Sequence, residues 1–163
     1  MKERKFIDFN GVILDTESRM IELKRQYPGL TWNEFANTLD WDFLLRTSPV
    51  IDDAIALLRE VSQMDDARTT ILTNVDLIVE EIAKVHFLRN QGITLPIQFV
   101  PPSIQKSEVY IPDKDDILVD DRPDNVMFWN QCTTCTPTRP RHPRRSTSTY
   151  RCSKSTRWQR LFV

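Results

Sequence analysis

Four short runs of apolar and β-branched residues, each ended by polar or turn-forming side chains, divide the first 131 residues. Lys5-Phe6-Ile7 runs into Asp8, and Thr69-Thr70-Ile71-Leu72-Thr73 runs into Asn74. Leu95 to Val100 is broken by Pro101-Pro102, and Asp116-Ile117-Leu118-Val119 ends in Asp120-Asp121. Each run is too short for a helix and rich in residues that suit a pleated surface, so each predicts a strand. Helical periodicity fills the gaps. Pro49 opens a helix carrying Val50, Ile51, Ala54, Ile55, Leu57, Leu58 and Val61 at helical spacing. Residues 75–90 follow the same rule with Val75, Leu77, Ile78, Ile82, Val85 and Leu88, and Gly92 suits the stop. Pro123 fits the first turn of a last helix over Asp124 to Gln131. Strands alternating with helices predict an α/β fold, a parallel sheet joined by right-handed crossovers.

Residues 17–47 interrupt this alternation. They read as mostly helical, broken at Pro28-Gly29, with Asp15-Thr16 as a start signal and Thr31/Glu34 as a capping box for a second helix. Trp32, Phe35, Trp41 and Phe43 give the insert large apolar surface, suited to packing or to a small lid over the sheet edge.

Composition changes the picture at one place. The chain has 163 residues, 40% hydrophobic and 28% charged, as a soluble single domain does. The near-neutral net charge of −1 hides a division: residues 1–131 hold all 23 Asp and Glu against 14 Lys and Arg, whereas residues 132–163 hold 8 Lys and Arg and no acid. Cys132 to Arg157 contains no Ala, Val, Ile, Leu, Met or Phe, so it offers too little apolar surface to offset the entropy of ordering. An irregular basic tail from residue 132 is expected, its onset abrupt enough to suggest a reading-frame shift or truncation. No run approaches the roughly 20 apolar residues that span a bilayer, and no secretory leader is legible, which points to a cytoplasmic protein.

The ends of the strands carry the candidate chemistry. Asp8 with Asn10, Thr73 with Asn74, and Asp120 with Asp121 stand at carboxyl ends of predicted strands, and Lys106 lies in the loop before the fourth. Open α/β sheets bind ligands at that edge. Converging carboxylates there suit magnesium, which takes oxygen ligands and commonly shares them with a phosphate. A hydroxyl and a lysine suit the oxygens of a phosphoryl group in transit, and an unencumbered aspartate can attack phosphorus.

In order and spacing, FIDFNGVILDT, TTILTN, the Lys106 loop and ILVDDRPDNV resemble the four motifs of haloacid dehalogenase-like hydrolases, nearest to the small phosphatases and nucleotidases. The resemblance covers about residues 4–131. It implies a three-layer Rossmann-like parallel sheet, a small helical cap at about 17–47, and magnesium-dependent hydrolysis of a small phosphate ester such as a nucleoside monophosphate. By position, Asp8 would be the nucleophile and a magnesium ligand, with Asn10, Asp120 and Asp121 completing the metal site and Asn125 orienting it. Thr73, Asn74 and Lys106 would bind the phosphoryl group. Two departures stand out. The family's phosphatases carry an acid/base aspartate where this chain has Asn10, whose amide cannot give and recover a proton. The family's sheet also continues past the fourth motif with an apolar strand, which the composition after residue 131 does not supply.

Two rival readings remain open from sequence: a catalytically weakened phosphate- or nucleotide-binding protein, and nucleic-acid association through the cationic residues of 132–163 with Tyr150 and Trp158. Cys132, Cys135, His142 and Cys152 are zinc-ligand types, but their later spacings match no zinc pattern. His86 reads as an ordinary helix residue.

Overall fold

A computed structural model of the chain describes residues 3–64 and 68–134. Its centre is a four-stranded parallel sheet of β1 (Lys5–Ile7), β2 (Thr69–Asn74), β3 (Ile97–Val100) and β4 (Ile117–Val119), in the order β3-β2-β1-β4. Helices α1 (Thr16–Lys24), α2 (Trp32–Thr38), α3 (Trp41–Thr47) and α4 (Ala54–Gln63) lie between β1 and β2. Helix α5 (Ile78–Asn90) joins β2 to β3, α6 (Lys106–Val109) joins β3 to β4, and α7 (Pro123–Thr134) follows β4. The α/β class and the four predicted strands are therefore present. Among the described residues β4 has one strand neighbour, β1.

The two-residue period of the strands sorts the core. Ile7, Ile71 and Val119 are in lateral register or adjacent across β2-β1-β4 and belong to the larger apolar cluster, with Leu44 and Leu45 of α3, Leu58 of α4 and Phe87 and Leu88 of α5. Phe6, Leu72 and Val100 join Trp129 of α7 in a second cluster. There the Phe6 ring meets Tyr110 at 4.7 Å and Trp129 at 5.0 Å between centroids. A sheet buried on both faces needs continuous apolar runs, which is why the strands lack polar alternation.

Local signals hold where side chains act on their own backbone. Asp15 caps α1 by accepting from the Ser18 amide at 3.2 Å. Thr31 and Glu34 form the expected capping box, with the Thr31 amide donating to Glu34 at 2.8 Å and the Glu34 amide donating to Thr31 at 3.3 Å. Of the insert's aromatics, Phe35 and Trp41 are buried, whereas Trp32 and Phe43 are exposed.

Tertiary contacts move other boundaries. The helix expected from Pro49 begins at Ala54. The Pro49 carbonyl accepts from the Asp15 amide at 2.9 Å and the Ile51 amide donates to Ile13 at 3.0 Å, so this segment is held by the turn after β1. Asp52 then takes a positive φ of 47°, ending any helix from upstream. Helix α5 starts at Ile78, not at Val75, and turns a different side inward than its isoleucines suggest. Glu80, Ala83, Lys84, Phe87 and Leu88 are buried, while Ile78, Val79 and Ile82 are exposed. Lys106 opens the short helix α6 instead of lying in a loop, and α7 carries the chain three residues past Gln131. The remainder of the basic tail, with Cys135, His142 and Cys152, lies outside the described residues. No helix among the described residues is long and apolar enough to cross a membrane.

Candidate active site

Asp8 and Asp120 each follow directly on neighbouring parallel strands, which brings residues 112 apart in sequence to one edge of the sheet. The Asp8 amide continues the ladder, donating to the Val119 carbonyl at 2.9 Å. Beyond Asp8 the chain turns tightly, with the Ile13 amide donating to Phe9 at 2.9 Å and the Gly11 amide to Leu14 at 2.8 Å. Gly11 has φ +71°, and a Cβ built on it would lie 2.1 Å from Asp121 Oδ2. Glycine is required there twice over, for the left-handed backbone and for the approach of that carboxylate.

Lys106 joins the two strand ends. Its Nζ is 2.9 Å from Asp8 Oδ1 and 2.6 Å from Asp120 Oδ2, with 1% of the residue exposed. Asp120 is held further by Asn125 Nδ2 at 2.9 Å and by the Arg122 amide at 2.9 Å. Asp8 Oδ1 also accepts from the Phe9 amide at 2.8 Å. Burial pushes the Asp8 carboxyl above the usual aspartate range, and the Asp120 charge adds to the rise, while Lys106 and Lys84 oppose it. One oxygen each of Asp8, Asp120 and Asp121 lie within 4.8 Å of one another, the first two residues buried and the third exposed. Two buried carboxylates, Asp8 and Asp120, thus share one ammonium in direct contact, a surplus of negative charge that a hard cation would neutralise. The Asn10 side-chain oxygen is buried and has no hydrogen-bond partner, and so is available as a further oxygen donor. This donor set fits a small divalent cation.

An open pocket of about 340 Å³ lies over the cluster, lined by Asp8, Asn10, Gly11, Glu17, Asn74, Asp121 and Arg122. Six of the eight residues singled out from sequence meet here: Asp8, Asn10, Asn74 and Asp121 on the wall, Lys106 through its contact to Asp8, and Asp120 through Lys106. Asn125 stands behind Asp120. Thr73 is fully buried and is not on the wall, so Asn74 is the β2 residue that faces the pocket in this state.

Sequence reasoning missed four residues. Glu17 reaches the wall from the first turn of α1, just past the first motif, and Arg122 from the residue before α7, inside the fourth motif but given no role there. Lys84 and Glu80 are the other two. Lys84 is fully buried on α5, with Nζ 2.8 Å from Glu80 Oε1, 3.1 Å from Thr73 Oγ1 and 3.3 Å from the Asn74 carbonyl. Burial lowers the Lys84 pKa and Glu80 opposes that. The available signal was an i,i+4 Glu–Lys pair in line with Ala83, Phe87 and Leu88. His86 is exposed, as is Cys132.

No known protein family matches this chain, and no curated protein does.

Proposed function

We propose that the protein is a magnesium-dependent phosphohydrolase of the haloacid dehalogenase-like type, acting on a small phosphate ester such as a nucleoside monophosphate. On this reading the parallel sheet is a Rossmann-like core flanked by helical layers, and α1 to α3 form its cap. The carrying observation is that Asp8, Lys106, Asp120 and Asp121, spread over more than a hundred residues, form one network at the carboxyl edge of β1 and β4.

The chemistry follows from which oxygens are engaged. Asp8 Oδ1 already accepts from Lys106 and the Phe9 amide, so Oδ2 is the attacking atom. It forms a bond to phosphorus as the ester P–O bond breaks, giving an aspartyl phosphate and releasing the alkoxide, which takes its proton from solvent. Water then attacks that phosphorus, returning Asp8 and releasing inorganic phosphate. Lys106 opposes the rise that burial imposes on the Asp8 carboxyl and holds it in place for in-line attack. Magnesium held by Asp8, Asp120, Asp121 and Asn10 would neutralise and orient the phosphoryl oxygens. Asn74 serves the same oxygens from the pocket wall, while the buried Thr73 and Lys106 support β2 and Asp8 from behind.

Asn10 sets the limit. It cannot protonate the leaving alkoxide, a service worth roughly 10²–10⁴-fold. The remaining carboxylate on the wall able to trade a proton is Glu17. Turnover is therefore slow for poor leaving groups and faster for an activated aryl phosphate. Phosphate release with and without magnesium tests the reading: activity on the aryl phosphate that vanishes with chelator supports it, and metal-independent or absent release refutes it. The same Asn10 favours a second reading, a phosphate-binding protein with weakened turnover. Asn10→Asp separates the two: a gain on a nucleoside monophosphate speaks for hydrolysis limited by proton transfer. Unchanged, negligible turnover beside intact phosphate binding speaks for the binding protein.

A further inference from the structure

Lys84 is an expensive residue to place where it is. A lysine deprived of water costs several kcal/mol unless its three donors are all met. They are met by Glu80 Oε1, Thr73 Oγ1 and the Asn74 carbonyl. Glu80 is fixed in turn, its second oxygen accepting from the Asp76 amide at 3.3 Å. The Lys84 ammonium also lies 5.2 Å from the centre of the Phe9 ring, next in sequence to Asp8. It therefore ties α5 to the end of β2 and to the turn that begins at Asp8. Packing alone would not select this arrangement, because a leucine would fill the space without a charge to neutralise.

We infer that Lys84, held by Glu80, is a positioning residue that fixes the carboxyl end of β2 from inside the fold, through the buried Thr73 hydroxyl and the Asn74 carbonyl, so that Asn74 on the wall is set for contact with the phosphoryl group. This deepens the proposed hydrolase and rests on that reading of the pocket. An ammonium donates and cannot accept, so Thr73 Oγ1 must be its acceptor and the Thr73 proton must go elsewhere. That proton now points to the Asn74 carbonyl at 3.4 Å, a long bond on an oxygen that Lys84 also serves. Thr73 and Lys84 thus hold the same Asn74 carbonyl from inside the fold, and removing either loosens the same peptide. Asn74, on the wall, is held from its other side as Nδ2 donates to the Pro101 carbonyl at 3.3 Å.

The test is a double-mutant cycle on the full chain with Thr73→Val and with Lys84→Met combined with Glu80→Gln, so that no buried charge is orphaned. Turnover of an aryl phosphate with magnesium and calorimetric binding of inorganic phosphate are both read, with thermal melting to confirm folding. Each arm is expected to lower kcat about 10–100-fold with KM within about twofold, and their combination to lose no more than the worse arm. Folded variants whose losses multiply, or a Lys84 arm that keeps parental kcat and phosphate affinity, overturn the inference. Should the parent bind phosphate without hydrolysing it, the hydrolase reading fails alone, and the affinities decide the role of Lys84 by the same criterion. A parent that binds no phosphate overturns both.

Discussion

Two buried lysines flank the same pocket and are used in opposite ways. Lys106 is shared between Asp8 and Asp120, two buried carboxylates on one ammonium, so its charge is outnumbered and the trio keeps a negative surplus. Lys84 meets one carboxylate, Glu80, and gives its other donors to neutral oxygens, so its cluster is balanced. A surplus calls for a cation from outside the chain, whereas a balanced pair has its use in fixing geometry. Burial alone does not mark a lysine as catalytic; the charge count around it separates a centre that binds from a strut that positions.

That contrast can be broken most severely at Lys106. Lys106→Met strands two buried carboxylates, and unfolding in urea should show a loss of about 3–5 kcal/mol together with loss of activity. Adding Asp120→Asn should recover part of the stability and none of the activity. At the other lysine, Lys84→Met with Glu80→Gln should recover nearly all of the stability that Lys84→Met loses alone. If both lysines respond alike to neutralising their partner, the distinction between them is wrong.

Gly11→Ala acts on the surplus side alone. Its Cβ would meet Asp121 at 2.1 Å and its backbone would be strained at φ +71°. A loss of roughly 1–2 kcal/mol is expected, with weaker magnesium binding in calorimetry. Unchanged affinity would remove Asp121 from the metal site.

The smallest effect lies away from both clusters, where Arg4 forks onto Asp116 at the start of β4, with Nε 3.1 Å from Oδ1 and Nη2 2.5 Å from Oδ2. Burial alone would raise the Asp116 carboxyl, but the Arg4 bond and charge and the Asp113 and Arg4 amides outweigh it and hold it below its ordinary value of 3.8. A depressed carboxyl stabilises the fold above that value and loses the contribution as pH falls through its folded pKa. Asp116→Asn should therefore flatten the acid limb of stability below about pH 4 and leave the pocket's activity unchanged. An acid limb as steep as the parent's would show that Arg4 contributes nothing there. Asp8 has the reverse sign. Its raised carboxyl opposes folding once pH exceeds the ordinary aspartate value, so Asp8→Asn should melt no lower than the cation-free parent at neutral pH.

What was legible in the sequence shares a cause. Strand ends, the Thr31/Glu34 box and the carboxylates after β1 and β4 are local patterns that the backbone answers directly. Lys106 was found by its order among the motifs, but its helix spans four residues, too few for periodicity to register. Lys84 was hidden because Ile78, Ile82 and Val85 offer a second stripe on the same helix, and only the bonds to Thr73 and Asn74 decide which side turns inward. The delayed start of α4 was hidden for a similar reason, since the turn after β1 claims Pro49 to Ile51 by backbone pairing that no local signal announces.

The central claim is a covalent one, and mass spectrometry addresses it. The protein is mixed with magnesium and an aryl phosphate, quenched in acid during turnover and digested, and the peptide bearing Asp8 is examined. A hydroxylamine-sensitive phosphoryl group on Asp8, missing from Asp8→Asn, is the result expected. Steady phosphate release with no phosphoryl group on Asp8, or turnover that persists in Asp8→Asn, would contradict it.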